Sequence, residues 1–305
     1  MSRTALLTLC LLVAAAPSVL QAQDDDDDYR SKLDTTLAFD KRGTVTLELQ
    51  QGEIIVRAWS RPQIQIRATS ERGTIRLDAS PMRVALDLGR ERGGDSHFEV
   101  TIPEGARVSA QTIGGDITIQ GTKGAVDAQS QSGDVEVEDA ADMVELSSVS
   151  GDVRANTLSG DIQVRAISGD VELADLNGDV EATSVSGDIQ IRGATSKYVR
   201  AKSTSGDVSY DGNIDADGRY ELGSHSGEVD ISIPEGASAT FTVATYNGTI
   251  DSDFPITLQP GDHGLGNSKR FTFQIGNGGA RVSAESFSGD ITIRSTRHSS
   301  ARNPN

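Results

Sequence analysis

A glycine returns every 18 residues through the middle of this 305-residue chain, and that spacing leaves few folds open. Gly115, Gly133, Gly151, Gly169 and Gly187 stand 18 apart; Gly206, Gly227 and Gly248 follow at 19, 21 and 21, and Gly289 lies 41 further on, the length of two coils. Other columns align with the glycines. Seven residues before them stand Val108, Val126, Val144, Ile162, Val180, Val199, Tyr220, Phe241 and Val282. Three before stand Thr112, Ser130, Ser148, Ala166, Ser184, Ser203, Ser224, Thr245 and Ser286, and two after stand β-branched residues from Ile117 to Ile291. Polar residues such as Asp127, Glu145, Arg165 and Lys202 alternate with the apolar ones. Period-two alternation makes strands with one buried face. Within a coil the Gly-Asp pair also recurs at nine residues (Gly151-Asp152, Gly160-Asp161, Gly169-Asp170), which divides each coil into two strands and two turns.

A single coil of 18 residues cannot cover its own apolar edge; stacked coils can, at the inter-strand spacing of about 4.8 Å. The expected fold is therefore all-β, a parallel β-solenoid with coils of about 18–21 residues, each coil pairing with the next. Roughly ten coils make a rod on the order of 50 Å long. Val, Ala and Ser inside, with only 4% aromatic residues overall, predict a thin interior without a ligand cavity.

The organisation along the chain reads as a signal peptide at 1–22, an acidic disordered linker at 23–32, an N-terminal β-strand region at 33–102 continuous with the solenoid, the repeat β-solenoid at 103–294 and a disordered tail at 295–305. Arg3 precedes an apolar run at 5–16, too short for a comfortable membrane span, and Leu20-Gln21-Ala22 offers a cleavage site. The protein is thus expected to be exported, to the periplasm, the cell surface or the extracellular space. The only cysteine, Cys10, lies in that run behind Leu9, where a lipoprotein signal prefers a small residue; the mature chain is left without disulfide, thiol nucleophile or Cys-based metal site. Five consecutive aspartates at 24–28 repel one another and read as solvated. A net charge of −17 argues against nucleic acid and anionic lipid as partners. In the region 33–102, Trp59 is expected to close an end of the core.

The stretch Gly52-Glu53-Ile54-Ile55-Val56-Arg57-Ala58-Trp59 and the repeated Ser-Gly-Asp-Val/Ile turns resemble a bacterial family of exported proteins of unknown function named "putative adhesins". The resemblance implies a parallel β-solenoid in the cell envelope or outside it. It brings no catalytic residues with it.

Candidate sites are few. Asp116, Asp134, Asp152, Asp170, Asp188, Asp207, Glu228 and Asp290 stack along one edge, with Asp161 and Asp179 on the other. One reading has glycine at positive φ and Asp bonding a nearby backbone N–H in the turn; the alternative is a divalent cation, calcium above all, bridging carboxylates that otherwise repel. The Ser/Thr column is expected inside, bonded to neighbouring coils. Ile113, Val149, Ile167, Val185, Tyr246 and Phe287 form an apolar corner column, read as corner packing with a binding stripe as the alternative. Enzyme motifs fail: Gly223–Gly227 has His225 where a nucleophile elbow needs Ser, Asn267 stands where a P-loop needs Lys, the loop from Asn213 has Ser224 at its last ligand position, and His97, His225, His263 and His298 lack metal-ligand spacing. No catalytic, cofactor-binding or metal residue is assigned. The expected function is a non-catalytic, exported cell-envelope structural or adhesion-type binding module, its partner an envelope protein or glycan. The alternatives are a polysaccharide-active enzyme built on two outward carboxylates, and an envelope-stress sensor or scaffold.

Overall fold

The computed structural model describes residues 31–89, 94–255 and 269–296. The segment read as a signal peptide, the aspartate run, the Gly-rich stretch before Lys269 and the end of the tail lie outside the described residues. Ser31 and Lys32, read as linker, already belong to the first strand, and residues 295–296 belong to the last.

Among the described residues there are strands and no helix, and so none long and apolar enough to cross a membrane. The strands are β1 (Ser31–Ala38), β2 (Thr44–Trp59), β3 (Gln63–Ser70), β4 (Ile75–Ser80), β5 (Arg83–Leu88), β6 (Ser96–Pro103), β7 (Arg107–Gln120) and β8 (Val126–Ser130). They continue as β9 (Val135–Ala140), β10 (Met143–Ser148), β11 (Val153–Leu158), β12 (Asp161–Ala166), β13 (Val171–Ala174), β14 (Val180–Ser184), β15 (Ile189–Ala194) and β16 (Tyr198–Ser203). The last are β17 (Val208–Gly212), β18 (Arg219–Ser224), β19 (Val229–Pro234), β20 (Ala239–Thr245), β21 (Ile250–Ser252), β22 (Lys269–Ile275), β23 (Ala280–Ser286) and β24 (Ile291–Thr296).

They form two facing parallel ladders. One runs β7–β8–β10–β12–β14–β16–β18 through the strand that precedes each main glycine. The other runs β7–β9–β11–β13–β15–β17–β19 through the strand that follows it. Strand β7, like β2, runs through the corner and serves both. The fold is the β-solenoid that the repeat requires. The aligned columns are its interior: Val144, Leu146 and Val153 are fully buried, and their counterparts one coil away, Ile162, Val164 and Val171, lie directly on them in register.

Stacking follows chain order only in the middle. At the C-terminal end β23 and β24 slot between the coils on either side: β18 pairs with β23, and β23 with β20; β19 pairs with β24, and β24 with β21. At the N-terminal end β2 is likewise second in space, lying between β5 and β6 on one side and β7 on the other. The expectation that each coil pairs with the next in sequence is therefore corrected at both ends. Antiparallel strands finish the stack, with β4 on β5, β3 on β6 and β1 on β3, and β22 on β20. An exposed ladder edge templates unwanted pairing, and antiparallel covers of this kind blunt it. Trp59 does not close the core. It ends β2 half-buried on the outer face, its indole N–H donating to the Gln63 carbonyl at 2.7 Å with Arg61 over the ring at 5.2 Å; Phe39 and Phe98 are the buried rings of that end.

Why glycine at every main corner? A Cβ added to Gly151 would overlap the Gly133 carbonyl oxygen, and the same clash passes along the column from Gly115 to Gly206. The reason is close approach of the next coil's backbone. Positive φ, the expected reason, belongs to the second turn instead, where Gly121, Asp139, Thr157, Asp175 and Gly193 form a left-handed column at 18-residue spacing. The inner hydroxyls complete the main corner: Ser148 Oγ donates to the Gly133 carbonyl at 3.1 Å and accepts the Gly151 N–H at 3.0 Å. Ser130, Ser203, Ser224 and Ser286 make the equivalent bond to the glycine one coil before in space.

Candidate functional site

Three exterior features survive once the interior is accounted for. The first is the acid ladder. The Asp134 N–H donates to Asp116 Oδ1 at 2.9 Å, Asp152 to Asp134 at 2.9 Å, Asp170 to Asp152 at 3.0 Å, Asp188 to Asp170 at 2.9 Å and Asp207 to Asp188 at 2.8 Å. Each carboxylate therefore bonds the backbone of the next coil rather than its own turn. A charge-assisted bond from an N–H offsets repulsion between carboxylates one coil apart, and Arg154 adds a cation 2.7 Å from Asp152 and 3.4 Å from Asp134. The Glu228 N–H closes the run on Asp207 at 2.7 Å, and Asp290 receives the Thr249 N–H at 2.7 Å, a bond that holds the Asp290 carboxyl below its ordinary range. Among the described residues no group of three His, Cys, Asp or Glu is placed to hold a metal ion.

The second feature is the corner column. Ile113, Val149, Ile167, Val185, Tyr246 and Phe287 are between 37% and 55% exposed, so they lie outside the corner rather than packing within it. The intercalated coil changes this column at its far end. Phe287 lies between His225 and Tyr246, with ring centroids 4.8 Å and 4.9 Å apart and planes within 14° and 1° of parallel. His225 and Tyr246 are consecutive in the repeat, yet a ring from 41 residues beyond Tyr246 separates them.

Third, the outer face beside this rail is hollow. A shallow trough of about 980 Å³ crosses β16, β18, β23, β20 and β22. Its floor is small because Gly223, Ser283, Thr242 and Ala244 occupy outward positions of these strands. The rail forms one side. Arg219 and Arg281, directly opposite each other in register, form the other, and Lys202 and Arg270 stand at the two ends. Glu221 is held by Arg219 at 2.6 Å, which keeps its carboxyl below the usual range. Among the described residues neither Arg270 nor Arg281 has an acidic partner.

The rejected motifs stay separate. His97 pairs with Glu53 at 3.1 Å. In the loop from Asn213, Asp215 Oδ1 takes the Asp217 N–H and the buried Tyr220 hydroxyl takes the Asp215 N–H, so its polar groups serve the turn. Lys269 opens β22 and donates to the Gly248 carbonyl at 2.8 Å, while His263 and His298 lie outside the described residues.

The family Toastrack DUF4097 matches residues 92–218 and, overlapping, residues 191–294. The chain belongs to the Toastrack DUF4097 family. The two matches overlap across one coil, as expected where successive coils look alike. The motif at 52–59 that carried the sequence resemblance precedes the matched span of the Toastrack DUF4097 family. Two solved structures are similar at 10% identity. A "putative cell adhesion protein" from Clostridium sporogenes ATCC 15579 covers 87% of this chain and 100% of its own, with a TM-score of 0.24. A "putative adhesin" from Bacteroides fragilis NCTC 9343 covers 86% and 97%, with a TM-score of 0.36. No curated protein matches the chain.

Proposed function

We propose that this protein is a non-catalytic, exported β-solenoid that works as an adhesion-type binding module of the cell envelope. One observation carries the reading: exposed apolar and aromatic side chains recur along one corner of an otherwise charged rod, interrupted by Gln131 and Thr204, and their aromatic end borders a trough. Monomeric soluble proteins seldom keep contiguous apolar surface exposed without a partner for it. The N-terminal signal-like segment supports export, and a rod whose coils lock to one another through backbone, Ser and Asp bonds suits a presenting scaffold. Glu99, Glu145, Glu221 and the ladder aspartates are engaged in Arg pairs or backbone bonds, which weighs against a glycosidase pair drawn from them.

The test is retention. Purified protein coupled to beads is expected to capture bacterial envelope material or immobilised glycans, and to release no reducing ends from them over a day. Beads that capture nothing from either source defeat the binding module. Sustained release of reducing ends that scales with protein concentration defeats the non-catalytic part.

A further inference from the structure

We infer that the trough between the aromatic rail and the Arg219–Arg281 pair is a binding site for a linear polyanionic glycan, one carrying carboxylates on its sugars. The inference rests on the binding-module reading and names the ligand class for it.

Charge is the first argument. The chain carries −17 overall, and the acidic column lies in the turn at the main corner, just after each glycine. The trough, on the outer face of the strands that precede that corner, reverses the sign locally, with Lys202, Arg219, Arg270 and Arg281 against Glu221 and Glu285. Arg219 and Arg281 sit on adjacent strands in register, so two arginine side chains leave the sheet about one strand spacing apart. Glu221 pairs with Arg219 at 2.6 Å and with Arg200 at 3.7 Å, and not with Arg281. Like charges stacked this way are unfavourable unless an anion lies between or above them. The acid ladder avoids the same problem through backbone N–H groups; among the described residues the Arg219 guanidinium bonds Glu221 instead, and Arg281 has no acidic partner.

The second argument separates a glycan from an acidic peptide. Most of the trough lies on the face of a sheet, and only β22 at its far end is an edge strand. Strands β18, β23 and β20 are each paired on both sides, so their N–H and C=O groups are committed. A peptide laid there would leave its own backbone without partners, since recognition by strand addition needs a free edge. A saccharide chain brings no such backbone. Its hydroxyls find Ser283 and Thr242 on the floor, its carboxylates find Arg270 and Arg281, and its C–H surface finds the rail of His225, Phe287 and Tyr246. The length agrees too. Five strands span roughly 19 Å at about 4.8 Å per step, enough for several sugar rings end to end.

The experiment uses the full-length mature protein with polygalacturonate as the anionic probe and dextran as the neutral one, read by titration calorimetry. Polygalacturonate is expected to bind and dextran not. The affinity for polygalacturonate should fall at least about tenfold between 50 mM and 500 mM salt, as screening requires. The double variant Arg270→Glu, Arg281→Glu should lose binding by at least about tenfold at low salt, while Arg192→Glu on the opposite ladder should not. Both substituted arginines are exposed, and an unchanged melting temperature confirms that the variant folds. Dextran bound as well as polygalacturonate, or polygalacturonate binding untouched by the double variant, overturns the site while leaving the module intact. Capture of an acidic peptide but not polygalacturonate also overturns it. Bead capture that fails altogether belongs to the proposed function and not to this trough.

Discussion

The middle of the rod and its C-terminal end are built from the same coil and behave differently. From β8 to β15 the order in space is the order in sequence. Every main corner there has its glycine, and every carboxylate of the ladder bonds the next backbone N–H. Past β16 the repeat lengthens, Glu228 replaces Asp, the final coil slips between two earlier ones, and small and basic residues replace the mixed exterior. The difference teaches that regularity here is scaffold and that distinctive surface arises where regularity breaks. Local departures from otherwise consistent rules mark the places where a protein spends stability on function.

The strongest way to break the comparison is to put a charge inside the intercalated coil. Val282→Asp buries a carboxylate at a position 2% exposed between β18 and β20. It should cost about 4 kcal/mol or more. Hydrogen exchange should show protection lost in β18, β20 and β22 with β8 to β14 retained, as nearest-neighbour stability demands. Equal loss along the whole rod would show that the two regions are one cooperative unit.

Next comes a corner of the middle. Gly169→Ala drives a methyl into the Gly151 carbonyl, a backbone atom that has nowhere to move. About 3 kcal/mol should be lost in denaturant unfolding. Gly236→Ala, with open space around it in the second turn nearer the end, should stay within about 0.5 kcal/mol. Similar costs for both would undo the close-approach account of the glycine column.

A smaller effect has the opposite sign. Thr157 holds φ at +57° in the left-handed column, where a β-branched residue is strained. Thr157→Gly should stabilise by about 1 kcal/mol, seen as a higher melting temperature. The smallest effect concerns Ala166, the one gap in the hydroxyl column. Ala166→Ser supplies a donor to the Gly151 carbonyl and an acceptor for the Gly169 N–H, and should add about 0.5–1 kcal/mol. A loss instead would mean that the corner is too tight for an oxygen.

The columns were readable because a side chain's face follows from its parity along a strand, and parity is printed in the sequence. Val144, Leu146, Ser148 and Gly151 announce their places without any knowledge of their neighbours. Glycine's place was readable while its reason was not, since positive φ and close approach both select a missing Cβ, and only the stacked Gly133 carbonyl decides between them. Trp59 was misplaced because a large ring looks like core, whereas it stands on the outward parity of β2. The order of coils at the ends was hidden for a deeper reason. Near-identical coils offer near-identical neighbours, so nothing local says that Ser286 bonds Gly227, 59 residues away. The rail and the trough depend on that order, and so the candidate site was the least legible part of the molecule.

The inserted last coil also bears on how the protein is made. A chain leaves the ribosome, or threads an export channel, N-terminus first. Strands β18 and β19 then emerge with their permanent neighbours still unsynthesised or undelivered, and β20 and β21 emerge as strands that must not settle directly upon them. The vacancy between the two can be filled only after residues 280–296 are free. The segment 280–296 is thus the keystone of its end of the rod, the last part that must arrive before that end can close.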